Sequence, residues 1–362
     1  MKRVLTFELV PGMKLAKNVY NYDNHQLLVS AGTILTDETI SRLAYYSIID
    51  VHIDETYEAE PEEEETGEAE ASSYVERLRR TPQFIKFKAD FEENADLFEK
   101  RINQVVKKNG DLHVDSLVEP VLKMVDDTGN PSSVFDMLHA LRSYDDLTYM
   151  HSINVSLICN VLGQWLKFDD EEVRVLTAAG LLHDIGKILV PGDLIAKPSK
   201  LTKYEYAIVQ RHAYDGYMVL KDLDINEHIK NAALMHHERM DGSGYPLHLK
   251  GEQIDSYAKI VAIADVYDAM TSPRVYRGAL CPFVAISLFE REGLQKYESK
   301  YILTFLECIV NTYLLNRVRL TNGMEGEIVF INREFLSKPT IKVGDAYVDL
   351  TQYPDIAIEK II

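Results

Sequence analysis

Cysteine is scarce in this chain of 362 residues. There are three, Cys159, Cys281 and Cys308, isolated from one another and forming no Cys-x-x-Cys pair. That excludes a disulfide framework and leaves them as small apolar side chains of a core. Long apolar runs are also missing. None approaches the roughly 20 residues needed to cross a bilayer. The opening stretch from Met1 to Lys14 lacks the apolar core of a secretion signal, so the chain reads as soluble and cytoplasmic. Positive charge is in deficit, with 39 Lys and Arg against 57 Asp and Glu, a net charge of −18. This argues against a nucleic-acid polymer as partner. The imbalance is uneven, however: residues 54–70 hold ten Asp or Glu and no Lys or Arg. A small anionic substrate therefore stays open wherever local cations face a site.

What is present is ordinary in bulk, 46% hydrophobic and 27% charged, and long enough for two or three domains. Residues 1–53 read as a small N-terminal α+β unit. Strands are expected at 26–29 and 48–53, with a helix over 37–46 capped by Thr36. Residues 54–73 are a like-charge run with almost no apolar side chain, read as an acidic disordered linker. Residues 74–315 are helical in pattern, with the core of that domain over 140–315. One helix starts near Pro82 and carries Phe84, Phe87, Phe91, Ala95, Phe98, Ile102 and Val105 at steps of three and four. That stripe fits a bundle core first and the seam of a homodimer second. Further helices are expected at 114–127, 132–142, 146–167, 170–186, 203–221, 226–237, 256–271, 281–292 and 299–315. Residues 316–362 change to short strands, with Asn322-Gly323 a hairpin turn. The fold class is thus mainly α, a helical bundle with a small N-terminal unit and a short C-terminal β appendage.

The chemistry sits in the bundle. His183-Asp184 ends an apolar helix, His236-His237 ends another, His212 lies on a third and Asp265 sits among apolar neighbours on a fourth. Five of the eleven histidines, at 151, 183, 212, 236 and 237, fall on such helices. A buried carboxylate among apolar residues needs compensation, and a metal ion supplies it. Imidazoles mixed with carboxylates suit first-row ions such as iron, manganese or zinc, and cysteine is absent from the motifs. The set is too large for one tetrahedral ion and fits two octahedral ones, about 3.5–4 Å apart and bridged by an aspartate.

His183-Asp184-Ile185-Gly186-Lys187, followed by His236-His237-Glu238-Arg239-Met240-Asp241-Gly242-Ser243-Gly244-Tyr245-Pro246, resembles the HD-GYP family of cyclic-di-GMP phosphodiesterases. The resemblance runs from about Tyr149 to Leu280 and adds His151 as the first ligand. It implies that His151, His183, Asp184 and Asp265 serve one ion, with Asp184 bridging to a second held by His212, His236 and His237. Two divalent ions, iron or manganese, are the implied cofactors. Lys187 is expected to contact a phosphate or protonate the leaving oxygen, and Arg274 and Arg277 to bind phosphate through guanidinium forks. Asp268, one turn from Asp265, is expected to support ligands or loop, and Glu238 to do the same or stay solvated. The Gly242–Pro246 loop shapes the rim; docking a diguanylate cyclase domain is its second reading.

The implied activity is hydrolysis of cyclic-di-GMP to pGpG, and onward to GMP, by a hydroxide bridging the two metals. A different cyclic dinucleotide such as cyclic GMP-AMP, or a non-catalytic sensor, are the alternatives. Departures from the family pattern bear on this. Leu147 stands where some members place a glutamate for a third metal, and Asp145 and Asp146 are out of register, so two metals are expected. Pro273 and Val275 replace a usual aspartate and proline, and Ser199 a usual glycine.

Overall fold

The structure, a computed structural model, describes residues 2–6, 9–10, 12–20, 27–36, 39–40, 43, 48, 50–54, 74–106, 112–141, 148–195, 197, 202–272 and 280–362. In the N-terminal unit β1 (Lys2–Leu5) pairs antiparallel with β4 (Asp50–Ile53), and β2 (Val19–Tyr20) with β3 (Leu27–Val29). These strands close on their own core of Val4, Leu15, Leu28, Leu35, Leu43 and Val51. Of the helix expected over 37–46, residues 39, 40 and 43 are described and helical. The acidic run beyond residue 54 lies outside the described residues.

The helical part begins with α1 (Tyr74–Arg79) and α2 (Pro82–Val106), followed by α3 (Val114–Asp127) and α4 (Ser133–Leu141). Next come α5 (Thr148–Trp165), α6 (Asp170–Leu182), α7 (Gly192–Ile195), α8 (Lys203–Gln210), α9 (His212–Leu220) and α10 (Glu227–Met235). Then follow α11 (Ser256–Thr271), α12 (Pro282–Leu288), α13 (Leu294–Lys296) and α14 (Ser299–Thr312). Among the described residues no helix is long and apolar enough to cross a membrane.

Starts are written locally. The Thr81 hydroxyl accepts from Phe84 N at the head of α2. Asp169 with Glu172 and Thr202 with Glu205 make capping boxes on α6 and α8. The stripe on α2, from Phe84 through Ile102, is buried in one core cluster with α3 and α5 residues, so it is core in this chain. α5 and α6 pack along their length, joined by Asn160 Nδ2 donating to Thr177 Oγ1 at 3.0 Å. That contact sets the spacing of the two helices that end at the site.

Three expected helices break early. The one over 170–186 stops at Leu182, and a 3-10 turn takes over at Ile185–Leu189. The one over 203–221 breaks at Arg211, and the one over 226–237 ends at Met235. Each break falls beside a histidine whose Nδ1 bonds a carbonyl of the preceding turn.

The tail is a five-stranded antiparallel sheet. It comprises β5 (Arg317–Leu320), β6 (Glu325–Phe330), β7 (Thr340–Val343), β8 (Ala346–Asp349) and β9 (Ile358–Ile361), ordered β8-β7-β6-β5-β9. Asn322-Gly323 closes the β5–β6 hairpin. β9 escapes a pattern search because its buried residues stand at its two ends rather than alternating. Val318, Leu320, Ile328 and Ile341 join the core of the helical bundle. The Glu290 carboxylate accepts from the Leu336 and Ser337 amides and ties the sheet to the bundle.

Candidate metal centre

The histidines are prepared locally before they meet. At the end of α6 the His183 Nδ1–H donates to Gly180 O at 2.7 Å. Past α8 the His212 Nδ1–H reaches Val209 O at 2.6 Å. Past α10 the His236 Nδ1–H is shared between Ala232 O at 2.9 Å and Ala233 O at 3.1 Å. These are carbonyls of the last helical turn, which a helix end leaves short of partners. His151, inside α5, places Nδ1 2.7 Å from Asp268 Oδ2. In all four Nδ1 is occupied by that partner, which leaves Nε2 as the inward-facing atom that could ligate.

The seven expected ligands are brought together. Asp184, His212, His236 and His237 offer atoms within 4.8 Å of one another, and so do His151, His183 and Asp265. Asp184 stands between the groups. Its Oδ1 lies 3.3 Å from His212 Nε2 and 3.6 Å from His236 Nε2. Its Oδ2 lies 3.3 Å from His183 Nε2 and 3.5 Å from His151 Nε2. Each oxygen thus faces a different pair of imidazoles.

The donor set fits cations. His212 Nε2 lies 3.3 Å from His236 Nε2 and 3.1 Å from His237 Nε2. With Nδ1 bonded to a carbonyl on both His212 and His236, their two Nε2 atoms face each other. His151 Nε2, His183 Nε2 and both Asp184 oxygens are buried without an aligned hydrogen bond. Groups buried in that state are costly, and bound divalent metal would give them partners. Burial pushes the His236 pKa down to about 4 and holds His237 well below the usual range, the neutral form a ligand needs. Burial opposes charge on Asp184, yet the Lys187 ammonium and His183 outweigh it and keep the carboxyl well below the usual range. Asp265 is likewise held low against burial, by His151 above all. His151 differs: burial lowers it, but Asp265 and Asp268 prevail and raise it to about 10.

Lys187 lies beside the set, Nζ 2.5 Å from Asp184 Oδ2, with its side chain 27% exposed. It arrives there through the 3-10 turn, with Lys187 N donating to Asp184 O at 2.9 Å, and not along one face of a continuing helix. Arg274 and Arg277 lie outside the described residues, as do Asp145, Asp146, Leu147, Ser199, Pro273 and Val275. Glu238 is buried rather than solvated, and its carboxylate accepts from Leu247 N at 2.6 Å and Leu249 N at 3.0 Å. It anchors the loop that carries Tyr245, whose ring stacks on His237 with centroids 4.5 Å apart. Gly244 makes this possible, since a Cβ there would meet the backbone of His237, Glu238 and Arg239. The sequence places Tyr245 in the loop expected to shape the rim; its stacking on His237 was not legible there. Replacing Glu238 with alanine strands two amides and should cost about 2 kcal/mol, read as a lower midpoint in thermal unfolding.

Comparison with known proteins gives the domain in which these residues lie. The family model described as "HD domain" matches residues 136–300. The chain is 34% identical to "Cyclic di-GMP phosphodiesterase PA4108" of Pseudomonas aeruginosa over 64% of its own length and 55% of that protein. It is 44% identical to the "Cyclic di-GMP phosphodiesterase response regulator RpfG" of Xanthomonas campestris over 43% of its own length and 42% of that protein. It is 39% identical to "3'3'-cGAMP-specific phosphodiesterase 1" of Vibrio cholerae over 40% of its own length and 33% of that protein. The chain spans about half the length of the first of these and less of the other two. The matched region contains all seven metal-type side chains and the His236–Pro246 segment. Residues 136–300 of the chain thus match an HD domain, and the relatives named here are cyclic-dinucleotide phosphodiesterases.

Proposed function

We propose that this chain is a metal-dependent phosphodiesterase that opens a cyclic dinucleotide, with cyclic-di-GMP as substrate. The observation that carries the proposal is Asp184, whose two oxygens face separate imidazole pairs at 3.3–3.6 Å. His151, His183, Asp265 and Asp184 would hold one divalent ion, and Asp184, His212, His236 and His237 the other. Iron or manganese suits those ligands. Such a pair supplies a hydroxide at neutral pH and positive charge for the phosphate oxygens.

The residues of the chain do the rest. Asp184 sets the spacing of the two halves. Lys187, partly exposed beside it, is placed to meet a phosphate oxygen or to hand a proton to the departing O3′. Tyr245 over His237 walls one side of the site. Arg274 and Arg277 add guanidinium forks in sequence after α11. Water adds across one P–O3′ bond, its oxygen to phosphorus and its proton to O3′. The product is linear pGpG, and a second addition of water yields GMP.

The substrate class follows the names of the relatives, which include both cyclic di-GMP and 3'3'-cGAMP phosphodiesterases. The second reading, a preference for 3'3'-cGAMP, rests on those cGAMP names. A panel of cyclic dinucleotides, incubated with manganese-loaded or anaerobic iron-loaded protein, separates them. We expect cyclic-di-GMP to give the highest kcat/KM, with pGpG accumulating first. A reversed order would move the assignment to 3'3'-cGAMP. Tight binding of both without turnover would sink the enzyme reading and leave a sensor.

A further inference from the structure

We infer that the two halves of the centre bind metal unequally: the half built on His151, His183 and Asp265 is the tighter, and Asp268 with Ser272 makes it so. The inference rests on the metal-centre reading above. His183, His212 and His236 all set Nδ1 against backbone carbonyls. His151 differs from those three in setting it against a carboxylate, Asp268 Oδ2, at 2.7 Å. A carboxylate behind an imidazole makes it a stronger and more anionic donor than a carbonyl does. Asp268 is only 1% exposed and is itself aimed. Its Oδ1 accepts from Ser272 Oγ at 2.8 Å, and its main-chain carbonyl accepts from Ser272 N at 2.8 Å. Asp268 is therefore a positioning residue that acts through His151.

Charge points the same way. Beyond the shared Asp184, the His151 half has Asp265 as ligand and Asp268 behind it. Against them stands one ammonium, Lys187, on Asp184 Oδ2 at 2.5 Å. One positive charge weakens that half without cancelling two negative ones. Among the described residues the other half sets His212, His236 and His237 around Asp184, with no second carboxylate in the group. Asp265 Oδ2 stands 3.9 Å from His237 Nδ1. His237 is also the most exposed of the seven, its side chain 18% accessible, so water competes for that position. The ions then load in order, first at His151 and second at His237.

The test is a titration of chelator-stripped full-length protein with Mn²⁺ alone, followed by calorimetry and by the electron paramagnetic resonance of free Mn²⁺. We expect two classes of site. H237A should erase the weaker class and leave one tight ion. D268N should weaken the tight class by about 10–100-fold. S272A should weaken the same class by about fivefold, one hydrogen bond's worth, and S272T should restore it. The serine variants leave the buried carboxylate in place and guard against a D268N protein that fails to fold. Two equal sites in the parent would overturn the inference, as would a D268N or S272A effect confined to the weak class. A parent that binds no Mn²⁺ would overturn the metal-centre reading itself, and this inference with it.

Discussion

Asp184→Ala should reduce turnover of the cyclic dinucleotide by about a thousandfold or more and leave fewer than two metal ions per chain. Asp184 is 3% exposed, and its two oxygens face imidazoles of both halves at 3.3–3.6 Å. Alanine removes the one side chain common to the two. A loss of about 4 kcal/mol of transition-state stabilisation is a factor of about 10³ in rate. Asp184→Asn keeps the shape and removes the charge, so it separates bridging from packing. We expect it to fail nearly as badly, because a neutral amide is a poor partner for two cations. Elemental analysis and a turnover assay on protein kept from air measure both effects. The double replacement of His183 and Asp184 by alanine should be inactive. Parent-like activity in any of these variants would remove the site assignment.

Gly186→Ala should be the most damaging change outside the ligands. A Cβ at Gly186 would run into the carbonyl of His212 and into Gly216 N at 2.5 Å. Both are backbone, so neither can swing away as a side-chain tip would. Forced into a packed interface, one methyl group costs about 3 kcal/mol. The damage is directed: Gly186 follows Asp184 by two residues, and the obstructing carbonyl belongs to His212. Separating the 3-10 turn from α9 therefore stretches the 3.3 Å approach of Asp184 Oδ1 to His212 Nε2. A misplacement of about 1 Å in such a site costs about a hundredfold in rate. Gly192→Ala is the control, since a Cβ there meets nothing within 4 Å. It should stay within about 0.5 kcal/mol of the parent. Thermal unfolding with a parallel turnover assay compares the pair. Equal midpoints for the two alanine variants would contradict the close packing of the 3-10 turn on α9.

Much of the site was legible because a metal centre needs polar residues where apolar ones are expected. His183, His236 and Asp265 stand out within apolar helical stretches, and that contrast survives without any knowledge of contacts. The helix stripe from Phe84 to Ile102 was legible for the same reason, as a period in polarity. Less legible were the breaks beside the histidines. A pattern of apolar residues continues through Arg211, and only the geometry of the Val209 carbonyl and His212 ends the helix there. Asp268 showed its helical phase with Asp265 but not its two partners. Glu238 looked equally like a solvated acid, because its partners, the Leu247 and Leu249 amides, depend on how a loop folds back.

By itself the amino-acid order determined the class of chemistry. Seven imidazole and carboxylate side chains that could ligate metal, with no cysteine among them, are a property of residue types. It also determined the helical bundle, since spacing at three and four residues is local. Tertiary structure alone decided which oxygen of Asp184 faces which histidines, and it decided that His151 leans on Asp268 while three other histidines lean on carbonyls. The reason is distance along the chain. Asp268 follows His151 by 117 residues and His236 follows His212 by 24. No periodicity spans such gaps, so only packing of α5, α6, α9, α10 and α11 brings those atoms within reach.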